Sequence, residues 1–380
     1  MNWSAAVLIA FPLLGCGGAV SGASDAGVQG AGASSGSSGS ASGGSGSSSG
    51  VNECPSGEAM CNGACKAGQC LVALAADQAG AAGIAVDTAN VYWTTSDGVE
   101  EVPIGGGTAI TLASGQSNAW AIVTDGTSVY WTNRGTQEKN FADGSVMGLS
   151  IGEASPVILA AQQTNPKAIA VDASNVYWVS GQTLMKTRVG GGSATVLASP
   201  NAAIGGIAVS GGNVYFTVGP SADSTSVPPP AGGVMTVPIG GGPTSTLVSA
   251  ASLAIGPVTT VALAVVANTV YWSAQLSDGV NVVSSYLYAV QVGGGTPVRS
   301  WSAKNGEFLA VAVDDAAIYW TLTYGAEQGE VGSCGLLAAC QMNPSLVAGQ
   351  GLPQSSVALA VDATSVYWIA DSTIHKLTPK

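Results

Sequence analysis

A short run of small apolar residues, a four-residue polar step, and then Val or Ile, Tyr, and Trp or Phe recurs seven times along the chain. It places tyrosines at Tyr92, Tyr130, Tyr177, Tyr215, Tyr271, Tyr319 and Tyr367. Apolar runs this short, bounded by Asp, Asn, Ser and Gly, are strand patterns separated by tight turns, and no long helical period interrupts them. The tyrosines are spaced by 38, 47, 38, 56, 48 and 48 residues, the size of one four-stranded propeller blade. The third repeat shows the unit: an inner strand over 168–171, a turn over 172–175, a second strand over 176–179, a third over 183–189, a turn over 190–192 and an outer strand over 194–198. The fold class is therefore all-β, a seven-bladed β-propeller with four-stranded blades over 71–380.

Neighbouring residues of a strand point to opposite faces, so each Tyr-Trp pair sends one ring into each of the two seams beside its blade. Seven such pairs in register read as core. Asp87, Asp125, Asp172, Asp314 and Asp362 end the inner strand in five repeats, with Ser210 and Val266 in the other two. A carboxylate there can accept backbone N–H groups of the following turn, an Asx role that needs no catalytic explanation. The Gly triplets at 105–107, 190–192, 240–242 and 293–295 lack the Lys and hydroxyl of a phosphate loop and read as turns with positive φ. The last repeat ends at Lys380 without a fourth strand. Residues 71–75 have no other place in the pattern, so they are expected to pair with 373–377 and close the ring.

Residues 1–15 are uncharged and too short an apolar run to span a membrane, which takes roughly 20 residues, so they read as an export signal. Leu13-Leu14-Gly15-Cys16 resembles the lipobox of bacterial lipoproteins, and that resemblance implies lipidation of Cys16. With Gly17-Gly18 following, it implies an outer-membrane or cell-surface lipoprotein; a secreted protein is the alternative. Within 16–50, residues 21–50 are almost entirely Gly, Ser and Ala, a flexible tether with a reach of roughly 30 Å. The net charge is −12 with no basic run, which excludes a phosphate-backbone tracker, so nucleic acid is not an expected partner.

Six further cysteines, Cys54, Cys61, Cys65, Cys70, Cys334 and Cys340, are expected to form disulfides in an exported chain, stapling a small Cys-rich module over 51–70 and a local excursion at 334–340. Their connectivity is open. A tetrathiolate zinc site is disfavoured because the spacing lacks paired Cys-x2-Cys knuckles, so no metal or cofactor is expected.

The Val-Tyr-Trp element resembles the YWTD and NHL groups of β-propellers, over about 71–380, and more loosely the propeller-like surface lipoproteins of myxobacteria. The fourth-letter Asp is absent: Tyr92-Trp93 is followed by Thr94-Thr95, and Tyr130-Trp131 by Thr132-Asn133. Seven repeats also depart from the six blades usual in YWTD propellers, so a receptor-ectodomain function is not carried over.

Step lengths sort the loops. Links from inner to second strand are uniform, whereas second-to-third and outer-to-inner links vary, and the variable ones share one rim. Binding residues commonly lie on such loops above a rigid scaffold. The candidates are Trp120, Arg134, Asp143, Asp278, Trp301, Lys304, Phe308, Tyr324 and Glu327, expected to recognise a protein or glycan at the cell surface. The alternative is a propeller hydrolase or lyase with carboxylates or a divalent metal at the channel mouth. The single histidine, His375, falls in the third strand of the last repeat, away from that mouth. Asp143 and Asp278 lie in polar loops able to hold calcium, although Asp-Gly turn chemistry explains both.

Overall fold

The computed structural model describes residues 58–61, 64–67, 70–221, 233–253, 258–277, 282–324, 328–336, 345–352 and 358–380. Seven four-stranded antiparallel sheets follow one another along the chain, with an additional two-stranded hairpin, Glu58–Cys61 paired with Ala64–Ala67. We call the sheets blades 1 to 7. Their inner strands are Ile84–Val86, Ala119–Thr124, Ile169–Val171, Ala202–Ser210, Val258–Val266, Glu307–Val313 and Leu359–Val361.

The ring closes as the repeat predicts. Cys70–Ala75 pairs antiparallel with Thr373–Thr378 as the fourth strand of blade 7, with Leu71 opposite Leu377 and Ala73 opposite His375. The strand begins at Cys70, which is 1% exposed, so Cys70 belongs to the propeller and not to the module before it.

Each seam between blades is filled by the tyrosine of one blade and the large aromatic of the next. Tyr92 clusters with Trp131, Tyr130 with Trp178, Tyr177 with Phe216, and Tyr367 with Trp93 across the closure. Tyr215, Trp272, Tyr271, Trp320, Tyr319 and Trp368 share one larger cluster. Fully burying one such ring is worth about 1.5–3 kcal/mol, so the seams are the main apolar cement of the disc.

The periodic aspartates do more than cap turns. Asp172 Oδ1 accepts the N–H groups of Ser174 and Asn175, both at 2.8 Å, while Oδ2 accepts the Tyr177 hydroxyl at 2.7 Å. Asp87 with Tyr92, Asp125 with Tyr130 and Asp362 with Tyr367 repeat this. The two turns without the aspartate take left-handed residues, Gly211 and Gly212 in blade 4 and Ala267, φ 49°, in blade 5.

Two expectations need correction. The disulfide framework, a stapled module over 51–70 and a bridged excursion at 334–340, does not stand as a finding: Cys70 and Cys334 carry disulfide-bonded sulfurs, and no pairing among the six cysteines is defined by the described side chains. Cys54 and Cys340 lie outside the described residues, and for Cys61 and Cys65 only the backbone is described. The outer-to-inner link between blades 5 and 6, read from the sequence as a variable loop over about 300–308 carrying Trp301, Lys304 and Phe308, is mostly strand: Val298–Lys304 and Glu307–Val313 leave only residues 305–306 between them. The cause is Trp301, which stacks on Trp320 at 5.0 Å and carries the outer strand onto blade 6.

Candidate functional site on the long-loop rim

The Asx turns and Gly triplets occupy one rim of the disc. The opposite rim carries the second-to-third and outer-to-inner links, and its best-built cluster joins blades 2 and 3. The second strand of blade 2, Ser128–Asn133, runs on into Arg134. Alternate residues of an extended chain share a face, so Arg134 follows the direction of Thr132. The Thr132 hydroxyl donates to the Lys167 carbonyl at 3.0 Å and accepts from the Ala121 N–H at 3.2 Å. Arg134 is thereby aimed over the entrance of blade 3, where its Nε donates to Asn165 Oδ1 at 2.8 Å. Its guanidinium lies over the Trp120 ring at 4.6 Å and the Phe141 ring at 5.3 Å. Such cation–π contacts are worth about 0.5–2 kcal/mol each, and together with Asn165 they fix the fork.

Trp120 and Lys167 are equivalent positions in adjacent blades, each three residues before the inner-strand residue that pairs with the blade's tyrosine, Val123 with Tyr130 and Ala170 with Tyr177. The carbonyl of each accepts a threonine hydroxyl from the preceding blade, Thr94 at 2.7 Å for Trp120. The loop above them is braced internally. Asp143 accepts the N–H and the hydroxyl of Thr136, both at 2.8 Å, and these bonds hold its carboxyl below the usual range. Asn165 N–H donates to the Phe141 carbonyl at 2.7 Å. Gly135 sits at φ 90°, and a Cβ there would come within 2.5 Å of Asp143 Oδ1.

Electrostatically the cluster is a basic spot on an acidic protein. Burial lowers the pKa of Arg134. Burial, then the Arg134 charge, lowers that of Lys167. Neither cation forms an ion pair; the one ion pair among the described residues joins Lys380 to Asp314.

The remaining candidates separate. Phe308 is 0% exposed and edge-on to Trp301 at 5.6 Å; it is core, and this corrects its place among the ligand-facing residues, since Trp301 and Trp320 enclose it. Trp301 is half-buried between blades 5 and 6. Lys304 is exposed at the end of its strand, and Tyr324 is half-buried, its hydroxyl pKa raised by burial and then by the charge of Glu330. Asp278 and Glu327 lie outside the described residues. Trp120, Arg134 and Asp143 are thus brought together, while Lys304 and Tyr324 sit on blades 5 and 6.

Phe141, Asn165 and Lys167 are not singled out by the repeat pattern, because each looks like an ordinary loop residue until blades 2 and 3 meet. A glutamine clasp is likewise cryptic. Gln78, Gln116 and Gln163 each accept the indole N–H of a tryptophan fifteen residues on, Trp93, Trp131 and Trp178, at 2.9–3.0 Å. The constant spacing is the signal that finds it. His375 stacks on Trp368 at 5.3 Å and burial lowers its pKa. Among the described residues no group of three or more His, Cys, Asp or Glu is placed to hold a metal ion.

No protein-family model matches the chain, and no curated protein matches it in sequence. Solved structures do resemble it. A virginiamycin B lyase from Staphylococcus aureus, crystallised with quinupristin, superposes with a TM-score of 0.58 at 12% identity over 82% of this chain and 99% of that one. A computationally designed protein gives 0.53 at 16% identity over 82% and 100%. The tricorn protease gives 0.58 at 11% identity, with 81% of this chain covering 34% of that one. At such identities the likeness shows the fold alone: a seven-bladed β-propeller. Nothing in it ties the chain to the YWTD or NHL groups or to myxobacterial lipoproteins.

Proposed function

We propose that the protein is a surface-anchored binding or scaffold protein that recognises a protein or glycan through the long-loop rim. The observation that carries this is the Arg134 fork clamped by Trp120 and Phe141 beside Lys167, a preformed polar-aromatic surface on a rigid disc. The Leu13–Cys16 tetrad and the Gly/Ser/Ala segment that follows support anchorage through lipid on Cys16, with the propeller held clear of the membrane. Screening the purified protein on glycan and surface-protein arrays tests the reading. Partners bound by the wild type should be lost in Arg134→Gln and kept by Lys186→Gln, whose site lies in the third strand of blade 3 away from the rim. Equal binding by both variants would refute it.

One observation favours a second reading, a hydrolase or lyase. Glu307 opens the inner strand of blade 6 on this same rim, and burial raises its carboxyl pKa, as suits a general acid. Turnover of any ester, lactone or glycoside that disappears in Glu307→Gln would support it, and turnover unchanged in that variant would remove it.

A further inference from the structure

We propose that the Arg134–Lys167 cluster is an oxyanion subsite that seats the carboxylate or sulfate of an acidic saccharide. This rests on the rim-recognition reading and specifies the chemistry of its ligand.

Three features of the geometry lead there. The Arg134 side chain is immobilised on three sides, by Trp120, by Phe141 and by the Nε bond to Asn165. This leaves the two terminal nitrogens of its planar fork without an acceptor among the described residues, the arrangement that reads a carboxylate or sulfate in bidentate fashion. Lys167 adds a second positive charge from the adjacent blade: the Thr132 hydroxyl holds its backbone at the entrance of the neighbouring inner strand, two residues from Asn165, and its ammonium is near enough to Arg134 for the two charges to act on each other. Two cations gathered into one half-buried place repel each other, and in a chain with 22 acidic and 10 basic residues neither has a carboxylate partner among the described residues. Of the two acids in the loop, Asp143 has both oxygens engaged by Thr136, and Glu138 is exposed in the short turn Gln137–Lys139. A bound anion would relieve that repulsion.

The flanking rings select a saccharide over an acidic peptide. A pyranose carries apolar C–H faces beside its charged group, and the half-exposed Trp120 and Phe141 border the cations where such a face would lie. No reaction is implied; the subsite binds.

The full-length protein is titrated calorimetrically with galacturonate oligomers, sulfated dextran oligomers, neutral dextran oligomers and a poly-glutamate peptide, using wild type, Arg134→Gln, Lys167→Gln and the off-rim control Lys186→Gln. Melting curves confirm that each variant is folded, and Lys167→Met serves if Arg134→Gln melts early. The expected result is binding of one or both acidic saccharides and not of neutral dextran. That binding should weaken about tenfold or more in Arg134→Gln and in Lys167→Gln, and stay unchanged in Lys186→Gln. The carboxylate and sulfate arms decide which acid is preferred. Acidic saccharides bound no better than neutral dextran, equal binding by all variants, or preference for poly-glutamate would each overturn the subsite. Capture of a neutral glycan or a protein in an Arg134-dependent way would sink the acidic-saccharide inference while leaving rim recognition standing. Loss of every rim-dependent interaction would remove both.

Discussion

The hydroxyl of Thr94 donates to the carbonyl of Trp120 at 2.7 Å while accepting the N–H of Gly83 at 2.9 Å. A single side chain of blade 1 thus ties its own inner strand to the entrance of blade 2. The bridge recurs with Thr132 between blades 2 and 3, and the first half of it, a hydroxyl accepting an inner-strand N–H, recurs at Thr217 and Ser273. Seams between blades are therefore joined by polar rivets as well as by aromatic rings, and the rivets sit directly beneath the candidate site.

Replacing Thr94 with Val keeps the shape and strands two buried backbone groups, so the variant should lose about 1–3 kcal/mol. The matched control is Thr321→Val, because the Thr321 hydroxyl is buried without a partner; its loss should change stability by less than about 0.5 kcal/mol or raise it. Urea unfolding of the two variants side by side measures both. Equal losses would mean that the hydroxyl is not what joins the seam.

The Asp172–Tyr177 pair makes a separate prediction. Tyr177→Phe removes one charge-assisted hydrogen bond at 2.7 Å and should cost about 1.5–3 kcal/mol. Asp172→Asn should cost at least as much, since the turn N–H bonds weaken too. The double variant should lose less than the sum of the two, which a thermodynamic cycle on equilibrium unfolding detects.

Blade 5 turns without an aspartate, and Ala267 takes a left-handed conformation at φ 49°. A Cβ in that region costs about 1–2 kcal/mol, partly offset by the greater freedom glycine has in the unfolded chain. Ala267→Gly is expected to stabilise the protein by up to about 1 kcal/mol, read as a rise in Tm; a fall in Tm would show that the strain is not there.

Stability should decline at high pH. Burial, and for Tyr130 the neighbouring Asp125 carboxylate as well, pushes the hydroxyls of Tyr130 and Tyr288 up to about 12, and Tyr92, Tyr177, Tyr319 and Tyr367 are raised further, burial again the largest cause. A tyrosine whose folded pKa is raised keeps its full stabilisation below the unfolded value of about 10 and loses it as pH climbs toward the folded value. Melting curves from pH 9 to pH 12 should therefore fall steeply above about pH 10. Absorbance of tyrosinate should appear with unfolding and not before it; early ionisation of the seam tyrosines would contradict their burial.

Anchorage is tested by Cys16→Ala. The variant should move from the membrane fraction to the soluble or secreted fraction and lose incorporation of labelled fatty acid, while its propeller melts as before. Unchanged fractionation would reject lipidation at this cysteine.

The repeat made much of the architecture legible. Blade number, the alternation of Tyr and Trp across the seams, the Asx turns and the closing strand all follow from local period and turn chemistry, which act over a few residues and are written in order along the chain. Phe308 shows the limit: in sequence it sits in a link of variable length, and only the packing of Trp301 onto Trp320 turns that link into strand and buries the ring. Arg134 and Lys167 show it again, since thirty-odd residues separate them in the chain and no period relates an arginine of one blade to a lysine of the next.

What the sequence determined alone, then, is everything set by strand alternation and turn preference: seven four-stranded units, which side chains enter the seams, and the strand that completes the last unit. What the tertiary structure decided is which loop residues meet. That depends on how far each blade is rotated against its neighbour and on where the Thr94 and Thr132 hydroxyls fasten the seam, a long-range geometry in which Trp120, Arg134, Phe141, Asn165 and Lys167 become one site.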